Sequence, residues 1–163
     1  SSFPSAQQGD KLPGSGNVGP AESGRSVAIS ADGNTAIAGA PNDNNQQGAA
    51  WIFVRNGNEW KQQGPKLVGT GNIGSAQQGR SVAISADGNT VIVGGYLDNK
   101  GTGAAWIFTR KNEVWTQQGE KLVGTGFDDY ILPVNMGYSV GMSADGNTVI
   151  IGAPYDSYPR GAA

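Results

Sequence analysis

Short apolar stretches alternate along the whole chain with turn sequences rich in glycine, aspartate and asparagine. Small and β-branched residues stand on both sides of Asp32-Gly33-Asn34, and tryptophan-bearing segments stand on both sides of Asn56-Gly57-Asn58. Asp-Gly and Asn-Gly pairs favour the positive φ of tight hairpins. No helical period competes with this pattern. The sequence therefore predicts two antiparallel hairpins, with strands over 26–30, 35–39, 49–55 and 59–67.

The same pattern recurs along the chain. The turn string Ser-Ala-Asp-Gly-Asn-Thr occurs three times, with its aspartates 55 and then 58 residues apart: Asp32, Asp87 and Asp145. The string Gly-Ala-Ala-Trp-Ile-Phe occurs at 48–53 and 103–108, whereas its third copy stops at Gly161-Ala-Ala163. We predict one repeat array over 1–163: the tail of a repeat at 1–12, full repeats at 13–67 and 68–122, and an incomplete third repeat at 123–163 whose outer strand is absent.

Tandem units of four antiparallel strands are typical of β-propeller blades. We therefore predict an all-β chain of about three blades, which belongs to a larger or oligomerically closed propeller because rings usually hold four to eight blades. The small apolar strands are expected near the axis. The tryptophans recur with the unit, which favours packing between blades over a platform for stacking sugars: Trp51, Trp60, Trp106 and Trp115.

Composition excludes several classes of function. The net charge is -2, from 11 basic and 13 acidic residues, so no basic stripe is available for nucleic acid. The chain has no histidine and no cysteine, which removes the usual zinc and haem ligands and the commonest acid-base and thiol catalysts. No apolar run reaches 18 residues, so we do not expect insertion into a membrane.

Three strings in the first full repeat resemble a known family. Gly24-Arg-Ser-Val27, Gly39-Ala-Pro41 and Gly48-Ala-Ala-Trp-Ile-Phe53 are similar to the FG-GAP repeat of integrin α-subunit propellers and of microbial secreted surface proteins. The resemblance implies a β-propeller, cell adhesion, and a location outside the cell or at its surface. The phenylalanine of the family name is replaced in all three repeats, by Ser23, Gln78 and Met136, and Gly94-Gly95-Tyr96 replaces Gly-Ala-Pro in the second.

Calcium is possible in such repeats, but the turn sequences do not support it here. A calcium ion needs six to eight oxygen ligands, and a turn such as the one at Asp32 offers a single carboxylate. The turn aspartates are therefore interpreted as turn formers. The loop at 41–47 is richer in oxygen ligands, and its aspartate and the two equivalents are weak candidates for a cation site: Asp43, Asp98 and Asp156. We predict no cofactor.

The long connections of the repeat are expected on one face of the array, because the four strands alternate in direction. Loops on a rigid scaffold often carry binding residues. The loop at 123–137 breaks the repeat and is rich in aromatic and charged residues, a combination that suits a carbohydrate or a peptide. Packing of this apolar insertion against a neighbouring blade or subunit is an equally open alternative. The candidate ligand-binding residues are Phe127, Asp128, Asp129, Tyr130, Tyr138, Tyr155, Asp156, Tyr158 and Arg160.

Three functions follow as hypotheses. The first is a non-catalytic module that binds a protein or glycan through the long-loop face. The second is a structural subunit that associates with itself into a ring or filament, because unpaired strand edges invite pairing with another chain. The third is a hydrolase that uses Asp128 and Asp129, which is disfavoured because adjacent residues of a strand point to opposite sides. We therefore do not expect an enzyme.

Overall fold

A computed structural model of the chain describes residues 6–126, 133–156 and 160–163. Its described part is β-rich and consists of antiparallel sheets, as predicted. Sheet 1 has the strand order β1-β2-β3-β4, sheet 2 the order β5-β6-β7-β8, and sheet 3 pairs β9 with β10. The strands are β1 (Ser26–Ile29), β2 (Thr35–Ala40), β3 (Ala49–Asn56), β4 (Glu59–Gln62), β5 (Ser81–Ile84), β6 (Thr90–Gly95), β7 (Ala104–Lys111), β8 (Val114–Gln117), β9 (Ser139–Met142) and β10 (Val149–Gly152).

The fourth strand of each full unit is shorter than predicted. The sequence pattern extends it to Leu67, whereas β4 ends at Gln62 and only a single bridge between Ala50 and Leu67 continues the ladder. Gly64 has a φ of 73° and Pro65 has no N–H group to donate. In the second unit the strand ends at the same place although Glu120 stands where Pro65 does, and Gly119 has a φ of 68°. The glycine turn thus ends the strand, and the chain rejoins its neighbour only at Leu67.

The loop that follows the second strand contains a short helical turn that the sequence pattern did not predict. These turns are α1 (Asp43–Gln46) in the first unit and α2 (Asp98–Gly101) in the second. Neither is a regular helix, because Asn44 and Asn45 have φ values of 48° and 54° and the second turn has the same irregularity. Asparagine tolerates this left-handed conformation better than most residues. The asparagines thus favour the first turn, whereas in the second turn Lys100 takes the left-handed conformation beside Asn99.

The main core lies between sheets 1 and 2. Ile37 and Ile52 from sheet 1 share one buried cluster with Val91, Val93 and Trp106 from sheet 2. Trp51 forms a second cluster with residues of its own unit. Trp51 and Trp106 are fully buried, whereas Trp60 and Trp115 are half-buried at the edges of the same two clusters, so all four rings take part in packing.

The tight turns of the three units touch one another. The first strands, β1, β5 and β9, lie side by side, and the N–H of Ala31 donates to Ala86 O at 3.0 Å. The N–H of Ala86 in turn donates to Ala144 O at 2.8 Å. The first hairpins of all three sheets are therefore joined in one row.

Each turn aspartate is a turn former, as predicted. Asp32 Oδ1 accepts from the Ser30 hydroxyl at 2.5 Å and from the Asn34 N–H at 2.9 Å. Asp87 and Asp145 repeat these bonds. Hydrogen bonds from the serine hydroxyl, and then from the backbone N–H, lower the pKa of all three carboxyls below the ordinary 3.8.

We expect these turns to contribute to acid unfolding. A lowered pKa in the folded state means that the carboxylates stabilise the fold above pH 3.8, and that this contribution is lost as the pH falls through the folded pKa values. A triple variant with Asp32→Asn, Asp87→Asn and Asp145→Asn should therefore be less stable than the parent at neutral pH. The difference should shrink below pH 3.8. Urea unfolding across the pH range measures it, and a pH-independent difference would contradict the assignment.

Candidate functional site

The long loops of neighbouring units lie against one another, as the alternating strand directions predict. The N–H of Gln78 donates to Gln47 O at 3.0 Å, which joins the loop after β2 to the segment before β5. The N–H of Met136 donates to Thr102 O at 3.1 Å, which joins the second and third units in the same way. We call the surface formed by 41–47, 68–80, 96–102 and 133–138 the long-loop face.

The structure describes only part of the predicted ligand site. Tyr138 and Tyr155 are exposed by 38% and 43%, and Arg160 is also exposed. Asp156 is described as well and is half-buried. The other five candidates lie outside the described residues: Phe127, Asp128, Asp129, Tyr130 and Tyr158. The described part of the prediction thus consists of three exposed side chains, two aromatic and one basic, and one half-buried carboxylate.

An arginine lies between two tyrosines and forms a cluster with them. Of these three residues, the sequence analysis named only Tyr138 as a site candidate. The guanidinium of Arg80 lies 4.4 Å from the ring centre of Tyr138 and 5.7 Å from that of Tyr96. The two rings meet edge to face with 5.4 Å between their centres. Such contacts of a cation with ring faces are attractive and fix the orientation of all three side chains. We call Arg80, Tyr96 and Tyr138 the aromatic cluster.

The strand pairing explains why these residues meet. Arg80 precedes β5 and Tyr96 follows β6, and in this antiparallel pair Ser81 lies opposite Gly94. Tyr138 precedes β9, which packs beside β5. A sequence signal existed, since Tyr96 replaces the proline found at 41 and 154, and Tyr138 replaces the arginine found at 25 and 80. Tyr96 and Tyr138, which both depart from the repeat and belong to adjacent units, thus lie at the same place in the fold.

Two of the three weak candidates for a cation site are engaged in ion pairs. Asp43 is fully buried, and its carboxylate accepts from the Val18 N–H at 2.7 Å and lies 2.5 Å from Lys66 Nζ. Asp98 is bound in the same way by the Ile73 N–H, at 2.6 Å, and by Lys121 Nζ, at 2.5 Å. A lysine ammonium therefore stands where a metal would have to bind.

Asp156 is the third aspartate of this set. Its Oδ1 atom is buried and has no hydrogen-bond partner among the described residues.

Within 6–126, 133–156 and 160–163, no group of three or more acidic residues is placed to hold a metal ion. No helix of the described part is long and apolar enough to cross a membrane.

No protein-family model and no curated protein matches the chain.

We expect the buried ion pairs to be important for stability. Asp98→Ala should lower the free energy of unfolding by about 3–5 kcal/mol, because it leaves Lys121 without its counter-charge in a largely buried place. Urea unfolding followed by circular dichroism provides the measurement.

The chain contains a matched control for this substitution. Glu59 pairs with Lys61 at 3.2 Å, but both side chains are more than 70% exposed. Glu59→Ala should therefore cost less than about 0.5 kcal/mol. Equal losses from Asp98→Ala and Glu59→Ala would contradict the structural role of the buried pair.

Proposed function

We propose that this chain is a non-catalytic binding module made of β-propeller-type blades, which takes a protein or glycan ligand on its long-loop face. The aromatic cluster is the observation that supports this proposal. Tyr138 exposes 38% of its surface, and a guanidinium held against two rings combines an apolar contact surface with hydrogen-bond donors. The FG-GAP resemblance supports a place outside the cell or at its surface.

The loops around the cluster are held in place by interactions with the scaffold. The buried Gln78 side chain accepts from the Gly69 N–H at 2.6 Å and donates to Gly69 O at 2.9 Å. Ser81 Oγ donates to Gly137 O at 2.9 Å, next to Tyr138. A binding surface fixed before its ligand arrives loses little conformational entropy on association.

Substitutions in the cluster test the proposed ligand site. The wild-type protein should capture a ligand in a glycan array or in a pull-down from extracellular proteins. Arg80→Ala and Tyr138→Ala should each weaken that binding about tenfold, which corresponds to about 1.4 kcal/mol. Titration of the captured ligand by calorimetry gives the ratio.

Arg25 provides the matched control, because it occupies the position in the first unit that Arg80 occupies in the second. Arg25→Ala should leave the affinity within about twofold of wild type. A folded protein that captures nothing in both screens, or an equal loss from Arg25→Ala, would rule out the aromatic cluster as the ligand site.

A second candidate function is self-association through the two uncovered sheet faces. Val27 and Ile29 on β1 are exposed by 71% and 58%, whereas the equivalent residues on β5 are half-buried against sheet 1. Ile150 on β10 is exposed by 61%, whereas its equivalent Ile92 is fully buried. Packing of one chain's β10 face on another chain's β1 face would repeat the contact that already exists between sheets. Two chains could in this way form a six-bladed ring.

Light scattering tests this second candidate. Wild-type protein should gain mass with concentration, and Val27→Asp or Ile150→Asp should each hold it as a monomer, because a buried charge without a partner is costly. Val114→Asp is the control, since Val114 is similarly exposed, by 61%, but lies on the outer strand β8. A folded wild-type monomer at all concentrations would exclude self-association.

A further inference from the structure

Arg80 differs from two other arginines of the chain in what its guanidinium contacts. The Arg110 guanidinium donates to Asn89 Oδ1 at 2.9 Å and to Gln63 Oε1 at 3.0 Å, and Arg55 makes the equivalent bonds in the first unit. In the described part of the chain, the half-buried Arg80 side chain contacts tyrosine rings but makes neither a hydrogen bond nor an ion pair. Its N–H donors are therefore available to a ligand.

The tyrosine rings hold this guanidinium without an oxygen acceptor. The ring centres of Tyr138 and Tyr96 lie 4.4 and 5.7 Å from its Cζ atom, and the two rings contact each other edge to face. The planar fork of an arginine matches the two oxygens of a carboxylate. A fork that is already held in place loses less side-chain entropy when it binds such a group. The aromatic cluster thus presents an oriented set of donors to an anion.

The charges of the long-loop face also favour an anion. Its described segments contain four charged residues: Asp43, Arg80, Asp98 and Lys100. Both aspartates are buried and are neutralised by their ion pairs with Lys66 and Lys121. Arg80 and Lys100 have no ion pair within the described residues. Two positive charges therefore remain in these segments, although the whole chain has a net charge of -2.

The first unit shows that the repeat does not need an arginine held by rings. Arg25 is the equivalent of Arg80. Pro41 stands where Tyr96 stands in the second unit, and the place of Tyr138 is taken by Arg80 itself. Arg25 is exposed and contacts no ring among the described residues. The ring-bound arginine therefore belongs to the second interface between units and not to the first.

The units are nevertheless joined in the same way at both interfaces. Ser26 Oγ donates to Gly79 O at 2.8 Å, and Ser81 Oγ donates to Gly137 O at 2.9 Å. These two hydrogen bonds occupy equivalent places in the repeat. The aromatic cluster is therefore an addition to the second interface that packing between units does not require.

A sugar with a carboxylate fits this addition better than an acidic peptide does. A pyranose presents C–H groups to the face of an aromatic ring, and in a uronic acid the carboxylate is attached to the same rigid unit. Tyr138 is 38% exposed and touches the guanidinium, so one such sugar can contact both groups. A peptide would supply its apolar and acidic groups on separate flexible side chains, and ordering those side chains costs free energy.

We infer that the aromatic cluster binds uronic acid units of an anionic glycan. The carboxylate forms a bidentate pair with the Arg80 guanidinium, and the pyranose ring packs on Tyr138. Tyr96 is a positioning residue, because it holds the guanidinium. This inference rests on the proposed ligand binding at the long-loop face and names the class of that ligand.

Two sugars that differ in one group test the inference on the full chain. Methyl β-D-glucuronide carries the carboxylate, and methyl β-D-glucoside carries a neutral hydroxymethyl group in its place. In proton–nitrogen correlation NMR, the glucuronide should shift the Arg80 Nε–H signal until the site is saturated. That signal is assigned by its loss in Arg80→Gln. The glucoside should bind about tenfold more weakly.

Variants separate the carboxylate contact from the ring contact. Arg80→Gln should weaken the glucuronide about tenfold but leave the glucoside within about twofold, because only the charged partner is lost. Tyr138→Ala should weaken both sugars, since both use the ring. Tyr96→Ala should move the Arg80 Nε–H signal of the ligand-free protein and weaken the glucuronide alone. Arg25→Gln is the matched control and should leave both affinities within about twofold.

Each contrary result has a distinct meaning. Equal binding of the two sugars, or an unchanged preference for the glucuronide in Arg80→Gln, would overturn the inference but leave glycan binding at the long-loop face in place. If acetate shifts the Arg80 signal at as low a concentration as the glucuronide does, the sugar ring is not recognised and the inference is wrong. If no probe moves a signal of the long-loop face, the inference fails, and the proposed function then stands only if the pull-down captures a protein ligand.

Discussion

Neither face of a four-stranded unit is covered by the unit itself, and the rest of the structure depends on this constraint. A β-sheet with apolar side chains on both faces must pack against a neighbour on each side. Sheet 2 satisfies the requirement, since Val91 and Val93 are buried against sheet 1. At the equivalent places in sheet 1, Ala36 and Ala38 are smaller and only half-buried. On this face of sheet 1, which no other sheet covers among the described residues, β2 thus carries the smaller side chains, whereas Val27 and Ile29 of β1 remain large and exposed.

The buried ion pairs hold the loops in place, as the apolar contacts hold the sheets together. Asp43 binds the backbone at Val18 and the side chain of Lys66, which brings together segments on either side of the hairpins. The same arrangement around Asp98 holds the loop beside Tyr96. The long-loop face is therefore a fixed surface, and its two tyrosines are presented by a scaffold with buried anchors.

Much of the fold was predictable from the sequence because its signals are local. The Asp-Gly-Asn turn at Asp32 binds its own serine and asparagine, so the hairpin is specified within a few residues. The burial of Asp43 was not predictable in this way, because Lys66 is 23 residues away and Val18 is 25 residues away. The aromatic cluster required the pairing of β5 with β6 and the packing of β9. Its residues departed from the repeat, but only the fold brings them together.

The row of hydrogen bonds between the tight turns gives the array a direction. The N–H of Ala31 donates to Ala86 O and the N–H of Ala86 donates to Ala144 O, so the first unit donates to the second and the second to the third. The two ends of such a row are therefore not equivalent. An isologous contact, which places two like ends together, could not extend the row. Duplication of a unit, in contrast, adds a link without any new chemistry, and an array of this kind can lengthen one repeat at a time.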